Sequence, residues 1–315
     1  VVAVFGLIQF FTPLLGLPSL LVTQWMIPGI MPRINGFSYE PSYYSTYLIM
    51  GLVITGYLLR VNVKLLQNRR LQVMHFTILL SLILSTSRMG WVMIVLWYVS
   101  YPIFYPPKLL EGKLNLTFVK YTVIAGGLAV VGSVVVLQIV GFENIKFLIN
   151  GLGIGDTSAH SANARLYSLY NTIEVFLNNP IYGVSLGGIA PNIAIMKGYH
   201  NLNMSVIKQH EGMMVFVEVL AASGIIGFIP FVAYFGKLFW APIRLYKKIR
   251  EKKWRHMLGA MLFALVFELI ILQFNQNILR PFLWMHIAIL TAMYHSFLKQ
   301  NNKFILLYKN FSALD

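Results

Sequence analysis

Residues 213–240 have the sequence MMVFVEVLAASGIIGFIPFVAYFGKLFW, and residues 241–256 follow as APIRLYKKIREKKWRH. The first stretch has 28 residues, of which only Glu218 and Lys237 are charged. Because about 20 apolar residues in a helix cross the hydrocarbon core of a bilayer, this stretch predicts a transmembrane helix. The second stretch carries seven Lys and Arg, the pattern of a cytoplasmic loop that fixes the orientation of the preceding helix. Together they predict a membrane fold whose orientation can be assigned.

The composition of the whole chain excludes an ordinary soluble domain. Of the 315 residues, 57% are hydrophobic and 11% are charged, and 25 Lys and Arg against 10 Asp and Glu give a net charge of +15. A basic excess is typical of proteins that bind nucleic acid or anionic lipid. The mean hydropathy of +0.69 favours lipid, so we predict membrane lipids and no nucleic acid as partners. The chain has no Cys, which excludes disulfides and thiolate chemistry.

Eight stretches are apolar enough to be membrane-spanning helices, at residues 1–22, 43–59, 73–87, 90–105, 118–140, 213–240, 257–276 and 281–298. One helix through the third and fourth would bury Arg88 in the membrane at a cost of about 3 kcal/mol or more, so we predict a tight reversal there. The predicted fold class is an all-α polytopic membrane protein, with residues 1–315 as a single integral membrane domain. The first residue is Val, which leaves room for further spans upstream.

If the eight predicted helices cross the membrane in alternating directions, the loops fall on two sides. The Lys and Arg residues are distributed unevenly between these two sides. The side with residues 60–72, 106–117 and 241–256 and both ends of the chain carries 18 of the 25 Lys and Arg when the flanking Lys120 and Lys237 are counted with it. Since cytoplasmic loops are enriched in Lys and Arg, this side is predicted to be cytoplasmic. The other side then faces the exterior and includes residues 141–212, a large predicted extracytoplasmic loop.

The large loop contains a predicted amphipathic helix at residues 164–179. Its apolar positions follow helical spacing at Leu166, Leu169, Tyr170, Ile173, Phe176 and Leu177. Ser161 or Asn163 could cap its start, which would place Arg165 in the first turn, where free backbone N–H groups could help it to bind a phosphate. The alternative is an interfacial helix whose arginine contacts lipid headgroups.

The predicted topology gathers the remaining ionic groups of the outer side at one membrane interface. They are Arg33, Glu40, Arg88, Arg165, His210, Glu211 and Arg280. Four guanidinium groups favour an anionic ligand, and their planar fork suits the diphosphate head of a lipid carrier. Each arginine could instead anchor the chain at the lipid surface or pair with an acid, as Arg33 could with Glu40.

Several other chemistries are excluded by the sequence. Asp156 and Asp315 are the only two Asp residues, so no D-x-D pair exists for a divalent cation, and we predict a metal-free mechanism with no cofactor. Hydrolase and nucleotide-binding motifs are missing as well. The glycine-rich residues 151–155 do not follow a strand, so we interpret them as a flexible loop. His286, inside the last predicted span, is interpreted as a packing residue.

Three segments resemble, in order, motifs of the bacterial O-antigen polymerase and ligase superfamily. Residues 36–42 (GFSYEPS) are similar to its glycine, aromatic, Glu-Pro-Ser entry to a helix, and residues 85–90 (STSRMG) to its Ser-Arg-x-Gly turn. The third is the ordered set of Arg165, residues 179–184 (NPIYGV), His210 and residues 223–227 (SGIIG). The ligases of the superfamily usually have His-Asn where Met213 and Met214 stand, so the resemblance favours a polymerase.

The resemblance implies a GT-C-like glycosyltransferase in the bacterial inner membrane, with its active site facing the periplasm or exterior. Donor and acceptor would be undecaprenyl-diphosphate-linked glycans, and a chain-length regulator would be a protein partner. Arg165, Arg88, Arg280 and Arg33 would bind the diphosphate leaving group. The base that accepts the hydroxyl proton would be His210, Glu211 or Glu40. An O-antigen ligase acting on lipid A-core and a lipid-linked oligosaccharide flippase are the alternatives.

Overall fold

The computed structural model describes residues 1–18, 20–21, 24–27, 29–61, 68–104, 159–210, 214–246, 248–274 and 278–312. The predicted span 118–140, the glycine-rich residues 151–155 and the candidate base Glu211 lie outside these ranges. Within them the chain forms α1 (Val2–Leu14), β1 (Gln24–Ile27), β2 (Met31–Arg33), α2 (Pro41–Val61), α3 (Asn68–Leu84), α4 (Arg88–Phe104), α5 (Ala159–Asn178), α6 (Ile189–Met196), α7 (Met204–Gln209), α8 (Val215–Tyr246), α9 (Lys252–Ile271) and α10 (Pro281–Ser312).

Four of the described helices are long and apolar enough to cross a membrane: α2, α8, α9 and the Pro281–Lys299 part of α10. The described chain is otherwise helical apart from one two-stranded sheet, which agrees with an all-α membrane protein. Helices α1, α3 and α4 coincide with predicted spans but have 13, 17 and 17 residues. The total of eight spans therefore stays a prediction.

Helix α1 ends at Leu14, so the helix predicted over residues 1–22 is too long. Gly16 adopts a left-handed φ of +70°, its N–H donates to Pro13 O, and the N–H of Leu17 donates to Thr12 O. These two bonds form the Schellman motif that closes many helices. The chain then forms the β1–β2 hairpin, in which Trp25 lies opposite Pro32.

Helix α9 is the centre of the described bundle. Its face with Ala260, Ala264 and Phe267 packs into a core shared with α1, α2, α3 and α4. A second face, including Leu262 and Leu265, packs against α8 and α10. Small residues let the helices approach closely, as expected between helices in a membrane.

A third, smaller core lies outside these two and fastens α5 and α6 to the start of α8. It consists of Val175 from α5, Ile189 and Ile193 from α6, and Ala221 and Ala222 from α8. The segment that the sequence predicted as a large loop therefore has a packed helical part.

A buried polar pair joins α9 to α10. His286 Nδ1 lies 2.7 Å from Glu268 Oε2, and His286 Nε2 donates to Met261 O at 3.0 Å. Both side chains are buried, with exposed fractions of 4% for His286 and 0% for Glu268. The two ring nitrogens of His286 thus both have partners on α9. The packing role predicted for His286 therefore includes a specific hydrogen bond.

We predict that His286→Leu destabilises the protein by about 3–5 kcal/mol, because it leaves the carboxyl group of Glu268 buried without its partner. The double variant Glu268→Leu with His286→Leu should be more stable than the single variant, since no buried polar group is then left unpaired. Thermal unfolding of the purified protein in detergent measures both. A double variant that unfolds below the single variant would contradict this account.

Candidate functional site

The first residues of α2, α4 and α10 lie at one end of the bundle, which we call the site end. Tyr43 at the start of α2 contacts Arg280, which directly precedes α10. Arg33, before α2, bonds to the turn before α4. The other end of α2 contacts the end of α8, where Tyr57 Oη lies 3.4 Å from Tyr246 Oη. The site end is therefore opposite to the basic segment that follows α8.

Arg33 holds the turn between α3 and α4. Its Nε donates to Thr86 Oγ1 at 2.8 Å, and its Nη2 donates to Thr86 O at 3.2 Å. Thr86 has a left-handed φ of 49°, a conformation that a residue with a branched Cβ adopts only when its surroundings enforce it. Arg33 thus has a structural role, and its second terminal nitrogen makes no bond within the described residues.

Arg88 is the first residue of α4, and the motif around it is a helix start. Ser87 Oγ accepts from the N–H of Gly90 at 3.3 Å, which caps the helix. A Cβ at Gly90 would lie 2.7 Å from Ser45 Oγ, so this glycine lets α4 approach α2. The predicted reversal at Arg88 is confirmed.

Glu40 directly precedes α2, and its backbone carbonyl accepts from the N–H groups of Tyr43 and Tyr44. Pro41 is the first helical residue, a position that suits proline because its missing N–H would have no partner within the helix. The Glu40 side chain is exposed and accepts a hydrogen bond from Ser42 Oγ at 3.1 Å. Arg33 and Glu40 do not form the direct ion pair that the sequence offered as an alternative.

Arg165 lies in the second turn of α5, because that helix begins at Ala159. The prediction that Ser161 or Asn163 caps the helix and places Arg165 in the first turn is therefore wrong. The helix starts five residues before the apolar pattern at residues 164–179 predicted. Backbone N–H groups at the helix start cannot assist Arg165 as proposed.

Arg33, Arg88 and Arg165 form a cluster with Glu40, although they come from separate parts of the chain. Burial and the positive charge of Arg88 lower the pKa of Arg33, and Glu40 acts in the opposite direction. The same causes, in the same order, lower the pKa of Arg165. We call these four residues the arginine cluster.

The arginine cluster concentrates positive charge that its own residues do not neutralise. Three guanidinium groups face a single carboxylate, and the effect of Arg88 on both neighbours is repulsive. Such an arrangement suits a ligand with two or more negative charges, which would replace repulsion by attraction. In the ranges that the structure describes, no group of three or more His, Asp or Glu side chains could hold a metal ion.

His210 directly follows α7. Its Nδ1 donates to Val206 O at 2.8 Å, so Nε2 is the nitrogen left for other chemistry. Its ring also meets Tyr199 edge to face, with 5.1 Å between the ring centroids. These two contacts do not join His210 to the arginine cluster.

Arg280 lies at the site end but not among the contacts of the arginine cluster. Its guanidinium carbon lies 4.1 Å from the centroid of the Tyr43 ring. The sequence predicts one site with four arginines, whereas the structure groups three and places Arg280 over a tyrosine. Tyr43 was missed, because nothing in the sequence distinguishes it from the other tyrosines near predicted membrane surfaces.

Residues 180–185 dock onto a break in α8, and two glycines make this possible. Gly224 interrupts the helix with φ 60° and ψ −171°. The N–H groups of Val184 and Ser185 donate to Ala221 O and Ala222 O, and those of Ile225 and Ile226 donate to Pro180 O and Ile181 O. A Cβ at Gly183 or Gly224 would lie 2.4 Å or 2.2 Å from the facing backbone. The NPIYGV and SGIIG segments are therefore two halves of one joint, which positions α5.

The fold is that of a multi-pass helical membrane protein, and the arginine cluster lies at one end of its bundle. Residues 73–232, slightly more than half of the chain, match the family model described as O-antigen ligase. The chain belongs to this family, within the O-antigen ligase and polymerase superfamily. The match includes Arg88, Arg165 and the joint at Gly224, whereas Arg33, Glu40 and Arg280 lie outside it. No curated protein and no solved structure matches the chain.

We predict that Gly224→Ala weakens the joint by about 1–3 kcal/mol or more, because alanine is strained at this φ and ψ and its Cβ would meet Ile181 O. Gly236→Ala, in the same helix, is the control, since nothing lies within 4 Å of its added Cβ. Trypsin cleavage at Lys197 in the native protein measures the docking of this part of the chain. Equal cleavage rates in both variants would contradict the joint.

We also predict opposite effects of two neighbouring arginine substitutions on stability. Arg33→Gln should destabilise the protein by about 1–3 kcal/mol, because it removes the bonds to Thr86. Arg88→Gln should leave the unfolding temperature unchanged or raise it, because it relieves repulsion without removing a hydrogen bond of the described structure. A large loss of stability in Arg88→Gln would indicate a structural arginine.

Proposed function

We propose that the protein polymerises undecaprenyl-diphosphate-linked oligosaccharide repeat units into O-antigen or a related surface polysaccharide. The reaction would take place at the site end, facing the periplasm or exterior of the bacterial inner membrane. Residues 1–315 would have eight spans in a GT-C-like arrangement. Membership of the O-antigen ligase family supports glycosyl transfer in general.

The observation that carries the proposal is the arginine cluster. A lipid diphosphate is an anion at the membrane surface, and Arg33, Arg88 and Arg165 are three cations gathered at one end of a helical bundle. Arginine stays charged when partly buried and can bind two oxygens of a phosphate at once. The excess charge of the cluster matches a diphosphate better than a neutral sugar.

The proposed reaction is a single displacement at the sugar that carries the diphosphate. A hydroxyl oxygen of the incoming repeat unit attacks the anomeric carbon of the growing chain. The bond from that carbon to the diphosphate oxygen breaks, and the diphosphate leaves with the electron pair. Arg88 and Arg165 would stabilise its developing charge, and such preorganised contacts act most strongly in a site shielded from water.

We propose Glu40 as the group that accepts the hydroxyl proton. Its carboxylate influences the pKa of both Arg33 and Arg165, so it borders the place where the donor would bind. From there it would accept the proton of a hydroxyl group that attacks the face of the sugar opposite the diphosphate. His210 offers Nε2 as an alternative base, although its contacts are with Val206 and Tyr199. Glu211 is a further candidate, outside the residues that the structure describes.

The second candidate function is that of an O-antigen ligase, which would transfer the finished glycan to lipid A-core. The description of the matching family model favours it. Donor chemistry at the arginine cluster would be the same in both cases, so the acceptor distinguishes them.

We expect Arg165→Ala to lower the rate of polymerisation by about 10²–10³-fold, the usual effect of losing one preorganised contact to developing charge. Arg165→Lys should restore little, because the planar fork is lost. The assay uses the purified full chain in lipid nanodiscs with the lipid-linked repeat unit isolated from cells that lack the protein. Gel electrophoresis of the products gives the ladder of glycan lengths.

Arg244→Ala is the matched control for this experiment. Arg244 lies in the last turn of α8, opposite the site end, and stacks over Trp240 at 4.7 Å. It loses the same charge but should polymerise at the normal rate. An unchanged ladder in Arg165→Ala would refute the proposed role of the cluster. Glycosylation of added lipid A-core without a ladder would favour the ligase, and transbilayer movement without new bonds would favour a flippase.

Glu40→Gln should lower the turnover number without raising the KM for the donor. The substitution removes the proposed base, yet it also removes the only negative charge of the arginine cluster, so the diphosphate should bind at least as well. His210→Gln is assayed beside it. A large loss of turnover in His210→Gln with normal turnover in Glu40→Gln would assign the base to His210.

A further inference from the structure

A cleft of about 470 Å³ opens at the site end, beside the arginine cluster but with different walls. It lies between the start of α1, residues 37–39, the start of α2 and the start of α10. The walls that matter here are Phe37, Tyr39, Tyr43, Tyr47, Arg280 and Phe282. Its volume is within the range of about 300–1,000 Å³ that is usual for small-molecule sites. We call it the Arg280 cleft.

The segment that separates the cleft from the arginine cluster is held rigidly. Gln24 Nε2 donates to Tyr39 O at 2.8 Å, and Asn35 Nδ2 donates to Ser38 O at 3.0 Å. The ring of Phe37 stacks on Phe5 of α1, with 4.3 Å between centroids. The next residue after Tyr39 is Glu40, which belongs to the arginine cluster. One short segment therefore borders both places.

The guanidinium group of Arg280 has N–H donors that make no hydrogen bond within the described residues. One face of its guanidinium group covers the Tyr43 ring, and no acid or hydrogen-bond acceptor of the described residues pairs with it. The hydroxyl of Tyr47 is buried beside Ser38, so Tyr47 contributes its ring to the wall of the cleft. The cleft thus combines aromatic surfaces with the unused donors of one guanidinium group.

These features fit the rings of an oligosaccharide. The apolar C–H faces of a sugar stack on aromatic rings, and its hydroxyl groups accept hydrogen bonds from guanidinium and phenol groups. A hydrocarbon chain would bury the guanidinium group of Arg280 without giving it a hydrogen-bond partner, which is costly. A diphosphate would find a single arginine here and three in the neighbouring cluster.

We propose that the Arg280 cleft binds the terminal sugars of the acceptor glycan. The proposal rests on the proposed glycosyl transfer and names the second substrate's site. An acceptor held against Tyr39 and Tyr43 would lie next to Glu40 and the arginine cluster, so its hydroxyl group would be presented to the base and to the donor's anomeric carbon. Arg280 is then a binding residue for sugar hydroxyls or an acidic sugar, separate from the diphosphate.

The test measures two ligands separately on the purified full chain in nanodiscs. One is the free oligosaccharide repeat released by mild acid from the lipid-linked repeat unit, and the other is undecaprenyl diphosphate. Tyr43→Leu and Arg280→Gln should each weaken oligosaccharide binding about tenfold or more, because they remove the stacking surface or the donors. Both variants should bind undecaprenyl diphosphate within about twofold of the normal Kd, which also establishes that they are folded.

Arg165→Ala should give the reverse pattern, with weak diphosphate binding and normal oligosaccharide binding. Tyr43→Phe keeps the ring and should bind the oligosaccharide nearly as well as the unaltered protein. Oligosaccharide binding that is absent in the unaltered protein, or equally strong in Tyr43→Leu and Arg280→Gln, would overturn the proposal. Because these are binding measurements, the cleft can be supported even where no polymer forms, and polymer can form where the cleft proposal fails.

Discussion

Irregular backbone near a membrane must find hydrogen-bond partners, because unpaired N–H and C=O groups are costly where water is scarce, and this requirement organises the site end. Gln9 of α1 accepts from the N–H groups of Asn35 and Gly36. Arg33 donates to the turn at Thr86. Residues 180–185 pair with the broken backbone of α8. Each of these connections joins segments that are distant in sequence, and together they place the arginine cluster.

The arginine cluster differs in kind from these connections. Arg33 belongs to both the connections and the cluster. Arg88 and Arg165 add repulsion to the folded protein, and their guanidinium groups make no hydrogen bond among the residues described. A fold gains nothing from such a grouping unless a ligand supplies the opposite charge. This physical cost is the reason to interpret the cluster as a site, and it applies equally to a polymerase and to a ligase.

The sequence located helices more reliably than their ends. The reversal at Arg88 and the start of α2 at Pro41 follow from local chemistry, because a buried charge and a proline each act on adjacent residues. The end of α1 depends on Gly16 within an apolar stretch, and hydropathy does not register a left-handed turn. The start of α5 at Ala159 likewise lies before the residues that were suited to cap it.

The sequence by itself determined that this is a helical membrane protein, which end of its helices is basic, and that Arg33, Glu40, Arg88, Arg165 and Arg280 belong to the opposite end. These conclusions follow from hydropathy and charge, which sum over a segment regardless of its neighbours. Only the tertiary structure decided that three of the arginines share one cluster while Arg280 stacks on Tyr43 in a separate cleft. Lateral grouping depends on how helices pack side by side, and no single segment carries that information.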